Sequence, residues 1–513
     1  MTMTLRAESE TLGEPQIGFD VSPRGEPARD PLRPAWWELC SIGLLIGVIL
    51  ACDEAIGAPA HDGLNLAAPA ILMIMLALGA LRMARLEPRS VWSSLYWFRL
   101  ATAVYFGFGS LVPSLLDPIS LVTLNHFYEA RPDEILKLNL VVAVSSFVVL
   151  ACASVASILF PTRPLRAGGE YDENRLFFGI LFACVGYTVK MLVEAPLTFG
   201  AFGAAAVPGA VLQLAQLSAV GLYLLAAHAL RGNRPLLLVV LALLGADMFV
   251  GALEFSKFAM LLPLMMFLLA WLASRMTIAR AALATGVFVA AYSSAQPFIE
   301  FGRLSLERKY TTASAGDFGE RFEIATQYVN GARHDRYEED TPTGMMRLSY
   351  VSAGCFAISR FDSGSPGPSL DYALATLVPR FLWPQKPIIT DIGSLFNLMA
   401  TGSSKSSSAP GYFADAYWAA GWNGVLLFST LIGFLFAFYS RFALHVLENG
   451  RWLLIPLALL SLKMGLRVDG ALVADVIGAS VIWFWAYVGA RLAERPVNGL
   501  MQLMESRMRE RLQ

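Results

Sequence analysis

The sequence predicts an all-α, polytopic transmembrane helical bundle of about 12 spans. Three observations predict it: the composition, a series of apolar runs of membrane-crossing length, and an alternation of positive charge between the connections. Of the 513 residues, 56% are hydrophobic and 15% charged. A soluble domain carries about 45–50% apolar and roughly 25% charged residues. A larger core does not close that gap, because a water-facing surface needs charge. The formal net charge of -1 leaves no global basic field, so no nucleic acid partner is expected.

Taken in order, residues 1–35 are polar and rich in Pro, Gly, Arg and Glu. They lack the apolar stretch of a cleaved signal peptide and are expected to form a disordered cytoplasmic tail. A span needs about 20 largely apolar residues. Such runs fall at 37–55, 66–84, 95–115, 138–160, 175–198, 206–230, 234–254, 257–275 and 280–298, giving nine spans within 36–299. A polar interval, 300–423, separates these from three more at 424–442, 451–466 and 470–491, within 424–492. Residues 493–513 form a second cytoplasmic tail.

Loop charge fixes the orientation, since cytoplasmic connections collect Lys and Arg. Alternate connections carry Arg82, Arg85 and Arg89, then Arg163, Arg166 and Arg175, then Arg231 and Arg234. The series continues through Arg275 and Arg280, Arg441 and Arg451, and Arg491 and Arg495. This pattern requires both termini in the cytoplasm and the long loop outside.

No internal repeat is visible, and the spans divide nine and three rather than into halves. Cys40, Cys52, Cys152 and Cys184 lie in apolar runs, where a free thiol behaves as a small hydrophobe. Cys355 stands alone in the long loop, so no disulfide forms there. No Cys/His spacing suggests a structural metal, and no cofactor is expected.

A loop of this length is either functional or disordered. Its aromatic and aliphatic content argues for folding. Met345 to Phe361 and Tyr372 to Trp383 are expected as helices lying on or re-entering the membrane surface, with a flexible piece at Thr401 to Ser408. Two stretches carry the chemistry. In Val378-Pro379-Arg380-Phe381-Leu382-Trp383-Pro384-Gln385-Lys386-Pro387, the prolines stiffen the backbone and hold Arg380 and Lys386 at fixed spacing beside Trp383. In Gly411-Tyr412-Phe413-Ala414-Asp415-Ala416-Tyr417-Trp418-Ala419-Ala420-Gly421-Trp422-Asn423-Gly424, Asp415 sits among aromatics that either pack on sugar rings or form the ordinary interfacial belt.

The first stretch resembles the "PR-x-x-WP-x-KP" segment of bacterial Wzy-type polymerases, the O-antigen or oligosaccharide repeat-unit polymerases. The second is similar to the acidic "EA-Y-x-N-x-G-x-x-G" segment before a late span of that family. Asp415 stands where Glu is commoner, and Ala419 lies close to a usual Asn. The resemblance implies a GT-C-like glycosyltransferase of the bacterial inner membrane with a large late periplasmic loop. It would transfer a growing glycan from undecaprenyl diphosphate to a hydroxyl of one lipid-linked repeat unit, without a nucleotide sugar. The partners implied are lipid-linked oligosaccharide, membrane lipids, a chain-length regulator and a flippase. Two alternatives stay open: a flippase or transporter for the same lipid-linked oligosaccharide, and a ligase-type glycan transferase.

A lipid diphosphate leaving group asks for fixed cations near the outer membrane surface, and Arg matches phosphate with a fork of donors. The candidates are Lys257, Arg303, Arg308, Lys309, Arg347, Arg360, Arg380 and Lys386, with Trp383 and Tyr417 as aromatic contacts for the glycan. Asp415 is the first choice of carboxylate to orient the acceptor hydroxyl, followed by Asp362, Asp391 and His334, while Arg360 and Arg380 are assigned to the catalytic centre. Charges within spans are functional suspects. Lys190 and Glu194, four apart, could pair with each other. Asp247 lies within a span, Glu254 marks its outer turn, and Lys463, Arg467, Asp469 and Asp475 cluster in the last two spans. Arg99 is expected to snorkel to the interface.

Overall fold

The apolar runs fold as helices. The computed structural model describes residues 30–125, 128–159, 173–200, 209–274, 277–310, 316–331, 345–378, 383, 385, 391–403 and 408–512. Among these, every regular element is helical. Ten helices are long and apolar enough to cross a membrane: Trp36–Ile56 (α1), Ala58–Leu86 (α2), Pro132–Leu159 (α3), Asn174–Thr198 (α4), Val211–Ala229 (α5), Arg234–Leu253 (α6), Lys257–Ser274 (α7), Ala279–Lys309 (α8), Tyr412–Glu448 (α9) and Val473–Val497 (α10). Their outer faces leave Leu44, Leu238, Phe249, Phe484 and Trp485 exposed. Apolar surface on that scale is unfavourable in water and matches a lipid boundary. α3, α5 and α9 are the most enclosed and form the middle of the bundle, whereas α1 and α10 lie at its edge.

Two of the expected spans take another form. The segment from 94 is broken: Ser94–Thr102 is α-helical, Ala103–Phe108 is a π-turn and Val112–Leu115 is 3-10. The chain is tightly packed at this break, where a Cβ on Gly109 would stand 2.1 Å from the Leu348 carbonyl oxygen. The other, Trp452–Leu466, is short; at about 1.5 Å per residue it reaches roughly 22 Å, less than the hydrocarbon thickness of about 30 Å.

The helix ends sort into two groups. At one end, Arg441 lies 3.7 Å from Asp30 and donates to Ser157 Oγ at 2.7 Å, while Arg82 donates to the Arg33 carbonyl at 3.0 Å. Arg89, Arg175 and Arg231 line one cavity there. At the opposite end, Tyr412 N donates to Val468 O at 2.9 Å and Lys137 meets Asp362 at 2.6 Å. Arg82, Arg89, Arg175, Arg231 and Arg441 therefore share one end of the bundle, and the described contacts of the long loop lie at the other.

Arg99 does not snorkel. It is fully buried, with Nε 2.6 Å from Glu38 Oε1 and a second donor 3.2 Å from Oε2. A guanidinium that reaches a carboxylate through two parallel bonds inside the bundle satisfies itself better than one stretched to the surface. Gly79 makes room for the pair, since a Cβ there would lie 2.4 Å from Glu38 Oε1.

The described parts of the loop pack into the bundle. The helix expected to end near 298 continues to Lys309, and the late span begins at Tyr412. Val351–Asp362 packs against α3 and α9 and buries Val351, Ala353, Cys355, Ala357 and Ile358. Ser352 Oγ accepts from Tyr128 N and donates to Tyr128 O, both at 2.9 Å. Within α9, Ala420 and Gly421 leave helical geometry. Gly421 has φ +59°, and a Cβ on it would stand 2.7 Å from the Phe361 ring, so both conformation and space demand glycine there.

Candidate functional site at the loop end

The turn joining α6 to α7 builds the first part of the site. Phe255, buried there, has φ +50°, the one positive φ of a non-glycine residue among those described. Left-handed backbone at a bulky residue is costly and persists only where its surroundings impose it. Here the Phe255 carbonyl accepts from Arg303 Nε at 2.8 Å, and its ring covers Gly302, where a Cβ would lie 2.1 Å away. The turn thereby positions Lys257, at the start of α7, beside the last turns of α8.

Glu300 is the centre of the cation group. It is buried and pairs with Arg347, which arrives from the loop. Its Oε1 lies 3.7 Å from Lys257 Nζ. That ammonium has no hydrogen-bond partner among the described residues and stands 5.2 Å from the centre of the Tyr292 ring. Arg303, Arg347 and Lys257 lie within electrostatic range of one another, with Glu307 near Arg303. Lys257, Arg303 and Arg347 outnumber the two carboxylates beside them, Glu300 and Glu307, and such an arrangement favours an anion.

A second group adjoins the first through Tyr292 and Tyr105, each within electrostatic range of Asp469. Asp469 lies in the connection between Trp452–Leu466 and α10, half-buried, and accepts from Tyr350 Oη at 3.1 Å. Burial pushes its carboxyl above the usual range, and Arg467 opposes that shift. Arg467 is exposed and 3.3 Å from Asp475. Lys463 donates to Gln216 Oε1 at 2.5 Å and sits 4.9 Å from the ring centre of Phe258, the neighbour of Lys257. The expected cluster of Lys463, Arg467, Asp469 and Asp475 is thus joined to the Lys257 group.

Other expected residues sit differently. Asp415 is fully buried and presents no surface to solvent. One of its oxygens accepts from Ser369 Oγ at 2.5 Å and the other from Leu472 N at 2.9 Å. It ties helix Ser369–Leu377 of the loop to the start of the α10 segment. Tyr417, also buried, donates to Asp362 at 3.0 Å, and Lys137 stands 4.9 Å from its ring centre. Its ring is therefore occupied by protein rather than open to a glycan. Lys190 and Glu194 do not form the expected pair: a π-turn at Lys190–Glu194 rotates Lys190 towards Asp247 of α6, with which it forms a buried ion pair.

Arg360 lies at the end of Val351–Asp362 with its Nε buried and lacking a hydrogen-bond partner among the described residues. Arg308 is exposed near the end of α8, and Trp383 is exposed. Arg380, Lys386 and His334 lie outside the described residues, as do 404–407 of the expected flexible piece; the ends of that piece are joined through Asn397, which reaches Ser403 O at 2.6 Å and Ser408 Oγ at 3.1 Å. Asp391 opens helix Asp391–Thr401.

Sequence reasoning picked out Lys257, Arg303 and Arg347 but missed Glu300, Tyr292 and the Phe255 turn. Glu300 carried a signal, as a carboxylate one turn before Arg303 at the end of an apolar run.

Comparison with protein-family models, with curated proteins and with solved structures finds no match. The chemistry is therefore read from the geometry. Lys257, Arg303 and Arg347 can hold a phosphate or diphosphate, and Asp469 with Tyr350 can accept and pass a proton beside it.

Proposed function

We propose that the chain is an inner-membrane glycosyltransferase that polymerises undecaprenyl-diphosphate-linked oligosaccharide repeat units into a surface polysaccharide. In this reading it crosses the membrane about 12 times, counting the two short segments, with both termini cytoplasmic and the loop end periplasmic. The observation that carries the proposal is the gathering of Lys257, Arg303 and Arg347 around Glu300 at the loop end, with Glu307 beside Arg303. A lipid diphosphate anchored in the bilayer presents its charge at that depth.

The reaction breaks the bond between the anomeric carbon of the growing glycan and the diphosphate oxygen. The acceptor hydroxyl forms the new bond to that carbon and gives up its proton. The diphosphate leaves with the extra electron pair, and Lys257, Arg303 and Arg347 stabilise the charge that develops there. Asp469, with its raised proton affinity, accepts the hydroxyl proton, and Tyr350 holds its carboxylate in place. Asp415 acts at a distance from the reacting atoms, holding Ser369–Leu377 against the α10 segment. Arg380 and Lys386, which carry the family resemblance, supply further contacts to the donor.

Purified protein in lipid vesicles, incubated with lipid-linked repeat units, tests the reading. A ladder of lengthened lipid-linked glycans supports it. Movement of unlengthened substrate across the vesicle bilayer would instead indicate a flippase, and transfer only to lipid A-core a ligase.

A further inference from the structure

The opposite end of the bundle carries a built cavity that the glycosyl-transfer reading leaves unused. It encloses about 270 Å³ between the 88–92 turn, α4, α5, α7 and the end of α9. Three guanidinium groups line it, those of Arg89, Arg175 and Arg231, together with the Glu448 carboxylate, and Arg89 also lies 3.3 Å from Glu87. These residues come from distant parts of the chain, so the fold, and no local charge run, brings them together. Arg175 stacks on Trp452, 4.9 Å from its ring centre, which fixes one wall. Trp92 and Tyr223 meet edge to face at 4.5 Å and form another.

Trp92 lines the cavity, is 1% exposed, and its indole N–H lies beside the Tyr223 hydroxyl. An anionic oxygen in this cavity would meet the arginine side chains that line it.

We propose that this cavity is a phosphate-binding site, distinct from the loop-end cation cluster, that takes a phosphate-bearing headgroup or a free phosphate anion. Its size fits a phosphate with a small polar extension, below the roughly 300–1,000 Å³ of pockets for larger ligands. Basic pockets between membrane helices at the cytoplasmic side are suited to anionic lipid headgroups. Aromatic walls accommodate the glycerol and upper acyl carbons of such a lipid.

Native mass spectrometry of the purified full chain tests it, with phosphatidylglycerol, phosphatidylcholine and inorganic phosphate as separate probes. Retention of phosphatidylglycerol over phosphatidylcholine, unaffected by phosphate, identifies a lipid headgroup as the ligand. Displacement of phosphatidylglycerol by millimolar phosphate identifies the soluble anion as a competent occupant. Either supports the site provided that Arg231→Gln, at an exposed position, weakens binding about tenfold and Arg231→Lys restores part of it. Arg491→Gln, which removes a charge outside the cavity, should leave binding unchanged. Equal retention of all probes, or equal binding by wild type and both Arg89→Gln and Arg231→Gln, overturns the proposal. Intact helical circular dichroism of each variant shows that a loss reflects binding rather than unfolding.

Discussion

Lys257 Nζ stands 3.7 Å from Glu300 Oε1, close enough for attraction but too far for a hydrogen bond, while Arg347 takes the closer position on the same carboxylate. Glu300 therefore anchors Arg347 and leaves Lys257 available. The order of these contacts ties the loop to the membrane helices and leaves the Lys257 ammonium without a close carboxylate contact.

Replacing Lys257 with Gln should lower glycan lengthening about 10- to 100-fold, the loss expected for one charge-assisted contact to a diphosphate. The amount of protein in the membrane should not change. A glycan-ladder assay with equal amounts of reconstituted wild type and variant checks this.

Asp469 and Asp415 should separate by the kind of defect they cause. Asp469→Asn removes the proton acceptor while keeping size and the contact with Tyr350, so lengthening should fall by about 100-fold or more at nearly unchanged thermal stability. Asp415→Asn leaves either Ser369 or the Leu472 N–H without a good acceptor, a loss of about 1–3 kcal/mol in stability. Its turnover per folded molecule should stay close to wild type. Thermal unfolding in detergent, paired with the ladder assay, distinguishes the two.

Arg99→Gln should cost about 3–5 kcal/mol, because it strands the Glu38 carboxylate inside the bundle. The expected result is a sharp drop in membrane accumulation. Combining it with Glu38→Gln should recover much of the loss, since a neutral amide pair has no charge to bury. Quantified immunoblots of membrane fractions read both.

Acid sensitivity should appear first at the loop helix Phe318–Val329. Lys309 and Tyr310 hold the Glu320 carboxyl at about 2, well below the usual carboxylate range. Because the folded value is depressed, this contribution is present above the unfolded value of about 4.3 and is lost as pH falls towards 2. The pair is exposed, so the effect is small and local. Hydrogen exchange across 316–331 should rise below about pH 4 while exchange in α3 and α9 stays unchanged.

Ten of the expected spans could be read from the sequence because a span is a local property, with some 20 apolar residues deciding it regardless of what packs nearby. The segment after Ser94 and Trp452–Leu466 departed from that rule, the first broken into π and 3-10 turns and the second shorter than a full span. The alternation of arginines was equally legible, since it is a count along the chain. Partnerships were not. Glu38 and Arg99 are 61 residues apart, and Lys190 finds Asp247 57 residues away rather than Glu194 on its own helix. Asp415 looked like a carboxylate near the surface because nothing in its neighbourhood reveals that Ser369 and Leu472 fold over it. The cation set was half legible: the charges were visible, but the carboxylate that organises them and the left-handed Phe255 that positions Lys257 emerge only when α7, α8 and residue 347 are brought together.

Photo-crosslinking with an undecaprenyl diphosphate probe that carries the reactive group beside the diphosphate tests the central assignment most directly. Peptides spanning 255–260, 292–309 and 345–350 should carry the label, and Lys257→Gln with Arg347→Gln should reduce it about tenfold or more. Labelling that falls outside these peptides, or that persists at full strength in the double variant, would contradict the assignment of the loop-end cations to the lipid diphosphate.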